Sequence, residues 1–152
     1  MECTIDWLAA SGMAFSAETG SGHLLTMDGA ADGGGRNLAP RPMETVLAGT
    51  GACAAYDVVT ILRRGRQDVR GCRVKVSSAR AANDPKVFTE IGLHFVVTGV
   101  ALSPAAVERA IALSHEKYCS ATIMLGKTAT IATSFEVVAF CDTGLPSAKA
   151  QT

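Results

Sequence analysis

The chain of 152 residues carries five cysteines, Cys3, Cys53, Cys72, Cys119 and Cys141. Their number is odd, their spacing is wide, and no C-x-x-C occurs. This argues against a secreted disulfide framework and against a zinc ribbon. Free thiols in a reducing cytoplasm are the simplest expectation. Cys53 and Cys119 each fall on or beside a predicted helix, one per helix. Packing of the two apolar helix faces would let these thiols meet. Two readings stay open. Each cysteine is a small core hydrophobe, as buried cysteines usually are, or the two form a reactive pair. A reactive pair has defined chemistry: a thiolate attacks the distal oxygen of a hydroperoxide, giving an alcohol and a sulfenic acid. A second thiol then condenses with the sulfenic acid to a disulfide, which an outside thiol reduces.

The attacking thiol needs a lowered pKa, supplied by a cation or a helix N-terminus. Cys53 is expected in mid-helix, where the dipole offers little. Asp57, one turn later, raises the pKa of an adjacent thiol. A cation must then come from elsewhere. His115 and Lys117, just before Cys119, are candidates close in sequence, as are Arg36 and Arg41. Each has the alternative of being an ordinary surface charge. Cys3, Cys72 and Cys141 are expected near strand ends and are assigned no chemistry.

A second motif surrounds Cys53. Gly49-Thr50-Gly51-Ala52-Cys53-Ala54 fits the G-x-G-x-x-A form of a dinucleotide-binding turn. Such a turn needs a strand before it and a helix opening after it. Here helical spacing runs through the glycines, from Val46 to Leu62, and no βαβ unit encloses them. Asp68 lies at the distance of a ribose-binding acid, but "RRGRQ" before it is not a second strand. The nucleotide reading is therefore set aside. Two glycines inside a helix cost about 1 kcal/mol each relative to alanine. Close approach of another helix is the expected compensation. Gly33-Gly34-Gly35 lacks the G-K-[ST] ending of a phosphate loop.

The elements that must position the thiols follow from patterning. Residues 4–28 contain "TIDW", "MAFSAET" and "HLLTMD" between glycine turns and read as an antiparallel meander. The Gly/Pro-rich stretch 29–42 is a long loop. A helix starts at Pro42, with Glu44 well placed near its N-terminal dipole. Val46, Leu47, Thr50, Cys53, Ala54, Val58, Ile61 and Leu62 share one broad face. "CRVKVSS" and "VFTEIGLHFVVTG" form a hairpin, with Ile91, Leu93, Phe95 and Val97 on one face. Ser103 N-caps a second helix, Pro104 opens it, and Leu102 and Val107 make a hydrophobic staple. Val107, Ile111, Ser114 and Tyr118 mark one face. The helix breaks and restarts around "KYCSATIMLGK". A last strand, "TATIATSFEVVAF", precedes a tail, 143–152, expected to fray. The order defines a single α+β domain spanning the chain.

Other function classes recede. Formal charge sums to zero, with 14 basic and 14 acidic residues, and no basic face suited to nucleic acid is expected. "RRGRQDVR" reads as a solvated helix end. The N-terminus lacks the pattern of a secretory signal. No run of about 18 apolar residues suggests a membrane span. His23, His94 and His115 are scattered and give no metal constellation, and no cofactor is expected.

"PMETVLAGTGAC", the hairpin, and "LSHEKYCS" near the end of the second helix together resemble the OsmC/Ohr superfamily of osmotically induced and organic-hydroperoxide-resistance proteins. The likeness spans most of the chain, about residues 4–138, and is nearest the YhfA-like branch. It implies an α+β fold of antiparallel sheets and two central helices in an intertwined homodimer. It also implies active sites near the subunit interface, Cys53 as the peroxidatic and Cys119 as the resolving cysteine. The substrate would be a small organic hydroperoxide and the recycling agent a dithiol. Peroxidatic members carry a P-E-E stretch whose first acid holds an arginine. Here Pro42-Met43-Glu44 places Met43 at the first acid, while Glu44 matches the second. "SGMAFSAETG" supplies no arginine, and Ser120 follows the second cysteine where the family has proline. Asp57, His115 and Lys117 form a candidate substitute set. The alternative is a non-catalytic dimer that binds a small apolar or thiol-bearing molecule in its interface pocket.

Overall fold

A computed structural model describes residues 1–141, so the expected tail at 143–152 lies outside the described residues. The chain forms two compact units, Met1–Thr50 and Gly51–Thr152, whose boundary falls inside one long helix.

The first unit holds an antiparallel meander of β1 (Cys3–Trp7), β2 (Phe15–Thr19) and β3 (Leu24–Met27). Its register pairs Ile5 with Ala17 and Ala17 with Leu25. Ala14 and Ala17 are buried, whereas Ile5, Trp7, Leu24 and Leu25 remain exposed. The long glycine-rich loop is tied down by Asp28. Its buried carboxylate accepts hydrogen bonds from the amides of Gly29 (2.7 Å), Arg36 (2.9 Å) and Leu38 (3.0 Å). The Leu38 and Arg36 amides hold that carboxyl below the usual carboxylate range, because each donor favours the charged form.

Helix α1 (Pro42–Arg64) runs without interruption through both glycines. A dinucleotide turn is therefore absent at residues 49–54. Glu44 Oε2 accepts from the Arg41 amide at 2.9 Å, closing the reciprocal half of a helix-start capping arrangement. Arg63 and Arg64 occupy the last turn, where their charge opposes the helix dipole. The buried residues of α1 are Thr50, Gly51, Ala54, Val58 and Leu62, a narrower stripe than the sequence suggests. Val46 is exposed. By length and composition α1 could cross a membrane. Its four-residue stripe of buried side chains is instead that of a helix with one face in a core.

The second unit continues with β4 (Asp68–Arg80) and β5 (Phe88–Val100), an antiparallel hairpin with Val76 opposite Leu93. β5 is central in the order β4-β5-β6. Ile91, Leu93, Phe95 and Val97 alternate into the core, as period-two patterning requires. After β5 come α2 (Pro104–Leu113), a single π-helical stretch Ser114–Tyr118, α3 (Ser120–Leu125) and β6 (Thr130–Ala139). The Ser103 side chain accepts from the Ala106 amide at the α2 start, and Leu102 and Val107 are both buried. β6 pairs with β5 in parallel, Phe95 opposite Phe135. The sheet is thus mixed, where the sequence reading had antiparallel sheets. The helical crossover is what permits it, since parallel neighbours cannot be joined by a tight turn.

The compensation for the glycines also differs from expectation. A Cβ on Gly51 would lie 2.7 Å from Val76 Cγ2, whereas nothing lies within 4 Å of one on Gly49. The close neighbour is a stiff, β-branched strand residue and not a helix. Gly49→Ala should therefore raise stability by about 0.5–1 kcal/mol through helix propensity. Gly51→Ala should fall below it by roughly 1 kcal/mol or more, because Val76 must move. Urea midpoints of the two variants check this, and equal midpoints would remove the packing argument.

Candidate active site

Cys53 stands at the twelfth position of α1, with Asp57 one turn further along the same face. Cys119 links the π-helical stretch to α3 and has extended backbone. The Cys119 amide donates to the Ser114 carbonyl at 2.8 Å, the five-residue bond that closes a π turn. One sulfur from each cysteine and one Asp57 carboxylate oxygen all lie within 4.8 Å of one another. Both cysteines are free thiols, Cys53 half-buried and Cys119 fully buried.

Two groups fix the surroundings. The Ser114 hydroxyl reaches both the Ala54 carbonyl and the Asp57 carboxylate, at 3.4 Å each. These are long contacts shared by a single proton. They join α1 to the π turn where Ala54 has too little bulk to hold them apart. The Ala121 amide, in the first turn of α3, acts on the Cys53 sulfur in the direction that favours its charged form.

Burial is the largest influence on the Cys53 thiol and pushes its pKa up. The Ala121 amide pulls the other way, while the Cys119 thiol and the Asp57 charge add to the rise. At neutral pH these influences favour Cys53 as a neutral thiol over a preformed thiolate. The effect of Asp57 has the sign its spacing predicts.

The remaining sequence candidates sit as follows. His115 is half-buried and its Nδ1 has no hydrogen-bond partner. Lys117 is exposed, with Nζ 5.4 Å from the Tyr118 ring centroid. Neither is among the groups acting on Cys53. Glu44 is engaged at the start of α1 and Arg36 in the Asp28 loop. The Arg41 amide is the donor to Glu44. Ser114 and the Ala121 amide are the functional groups that sequence reasoning missed. Ser114 had been placed only as a position on one helix face. An amide carries no side-chain signal at all. His94 bonds Ser134 Oγ at 2.9 Å and His23 lies 3.2 Å from Ser21 Oγ, so both are engaged locally.

A meander, a long helix bearing one thiol, and a hairpin followed by a broken helix bearing a second thiol define the OsmC-like class. Residues 33–134 match the sequence model of the OsmC-like protein family, and the chain belongs to that family. It is 50% identical over 139 residues to protein YhfA of Escherichia coli (strain K12), covering 91% of this chain and 99% of that one. A crystal structure of a hypothetical protein from Aquifex aeolicus VF5 superposes with a TM-score of 0.79 at 28% identity. The match covers 92% of this chain and 97% of the other. The organic hydroperoxide resistance protein OsmC of Legionella pneumophila shares the fold at a TM-score of 0.66 and 17% identity, over 90% and 98% of the two chains.

The electrostatics predict a pH response. Cys53 should alkylate slowly at neutral pH and accelerate as pH rises past the ordinary thiol range of about 8.5. Asp57→Asn removes a like charge, so its rate profile should move to lower pH. Iodoacetamide labelling followed by peptide mass spectrometry measures both profiles, and coincident profiles would show that Asp57 does not act on the thiol.

Proposed function

We propose that the protein is a thiol-dependent reductant of small organic hydroperoxides, with Cys53 as the attacking and Cys119 as the resolving residue. The observation that carries this reading is the pair of free sulfurs within 4.8 Å, one half-exposed and one buried. Cys53 is the more exposed of the two and so the point of approach for a hydroperoxide, whereas Cys119 is buried beside it. Membership of a family whose structural relatives include hydroperoxide resistance proteins supports the same chemistry.

The steps balance as follows. Cys53, once deprotonated, attacks the distal peroxide oxygen. The O–O bond breaks and the alkoxide leaves as an alcohol after taking a proton. Cys53 is now a sulfenic acid. The Cys119 sulfur attacks it, the S–O bond breaks, and water departs as the disulfide forms. A dithiol then restores both thiols by exchange. The Ala121 amide, which lowers the Cys53 pKa, favours the negative charge that the first step requires. Asp57 opposes that charge, so turnover is expected to be slow unless a cation is recruited.

A homodimer in a reducing compartment belongs to the same proposal. Ile5, Trp7 and Leu24 on the first sheet and Tyr56 on α1 are large side chains left exposed in a single chain, the kind of surface that a partner covers.

One equivalent of cumene hydroperoxide should remove two of the five free thiols per chain in the wild type and none in Cys53→Ser. Cys119→Ser should lose one and yield a dimedone-trappable sulfenic acid. Thiol counts under denaturing conditions check this. A wild type that keeps all its thiols would overturn the redox reading and favour the ligand-binding dimer.

A further inference from the structure

The donor set at this site suits a metal ion as well as a disulfide. We propose that reduced Cys53 and Cys119, together with Asp57, form a three-ligand site for a zinc ion. This goes beyond the redox reading and does not require it.

A tetrahedral zinc ion has Zn–S bonds of about 2.3 Å and Zn–O bonds of about 2.0–2.2 Å, which place neighbouring ligand atoms roughly 3.5–3.8 Å apart. The three donor atoms already lie within 4.8 Å of one another. Side-chain rotations of an ångström or less close the remaining gap. All three donors stand on regular or hydrogen-bonded backbone, two of them one turn apart on α1. Two soft sulfurs and one hard oxygen form the mixed set that favours zinc over calcium or magnesium.

The outer partners are in place too. Ser114 Oγ contacts the Asp57 carboxylate at 3.4 Å, and the Ala121 amide favours the charged form of the Cys53 sulfur. Such bonds orient ligands and set their charge. Zinc takes cysteine as thiolate, so binding releases the thiol protons, and the dication offsets the repulsion that three anionic donors would otherwise feel. With three protein ligands the fourth position stays open, the pattern of a reactive zinc centre. A histidine-led search overlooks the site because none of the ligands is a histidine.

Titration of the fully reduced chain with Co2+ tests the proposal. One ion per chain should give thiolate-to-cobalt charge-transfer bands in the near ultraviolet and intense tetrahedral visible bands, both displaced by Zn2+. Cys53→Ser and Cys119→Ser should lose the charge-transfer bands. Asp57→Asn should weaken binding, and Cys72→Ser should leave it unchanged. Should the Cys119 variant fail to fold, protection in the wild type decides: Zn2+ should block alkylation of Cys53 and Cys119 but not of Cys3. Absence of the bands, their persistence in a Cys53→Ser/Cys119→Ser double variant, or unprotected thiols would overturn the proposal. A further arm separates it from the redox reading. Bound zinc should slow thiol loss to cumene hydroperoxide. If the cobalt bands appear while hydroperoxide consumes no thiols even without metal, the redox reading alone fails.

Discussion

The site depends on one irregularity, the π turn between α2 and α3. An α-helix advances about 100° per residue. Continued through residues 114–118, it would keep Tyr118 in line with Val107, Ile111 and Ser114. The structure instead buries Cys119 completely and leaves Tyr118 50% exposed. The bond from the Cys119 amide to the Ser114 carbonyl spans five residues and slips the inner face forward by one. That slip brings the second sulfur beside the first. It also ends α2 and lets α3 begin immediately, and the Ala121 amide in the first turn of α3 is the group that lowers the Cys53 pKa. A π turn has weaker hydrogen-bond geometry than the α-helix it interrupts and is common at functional sites. Here the buried Ser114 hydroxyl, held between Ala54 and Asp57, ties the irregular segment to α1.

The fold was legible wherever local chemistry and tertiary context agree. Alternation of Ile91, Leu93, Phe95 and Val97 marked the central strand because both flanking strands and one covering layer demand period two. Ser103 and Pro104 marked the α2 start because the cap is a local bond. The break near Cys119 was also visible, but its type was not. A one-residue slip leaves helical periodicity intact on either side, so spacing alone aligns Tyr118 with Val107, Ile111 and Ser114, whereas the structure exposes it. Parallel pairing of β5 with β6 was hidden because strand patterning records which face is buried and not which way a neighbour runs. Asp28 went unremarked for a related reason. Its three amide partners lie one, eight and ten residues away, with no period to betray them.

The candidate site was legible by residue type more than by arrangement. Two cysteines on separate helices suggested a meeting, and their sulfurs do approach within 4.8 Å. The spacing from Cys53 to Asp57 is a single helical turn and predicted the sign of their coupling. The cation expected to offset Asp57 was sought among side chains nearby in sequence. Lys117 projects to solvent and His115 does not act on the thiol. What offsets the carboxylate in part is a backbone amide, which every residue but proline carries and no sequence motif announces.

Asp57 is the residue that decides how the site is to be understood. A carboxylate one turn from an attacking thiol works against thiolate formation, and burial of Cys53 works in the same direction. If the site evolved for a bare thiolate, two influences are adverse and only the Ala121 amide is favourable. A cation placed among the three donors changes the sign of the carboxylate's contribution. It stabilises both sulfurs as thiolates and gives the Asp57 charge an opposite partner. Met43, the second residue of α1, stands where the resemblance to peroxidatic relatives implies an arginine-holding acid, and its thioether can hold no such cation. In the proposed zinc form the charge balance around Cys53 is completed by the ion, and all three donors, Cys53, Asp57 and Cys119, belong to the second unit.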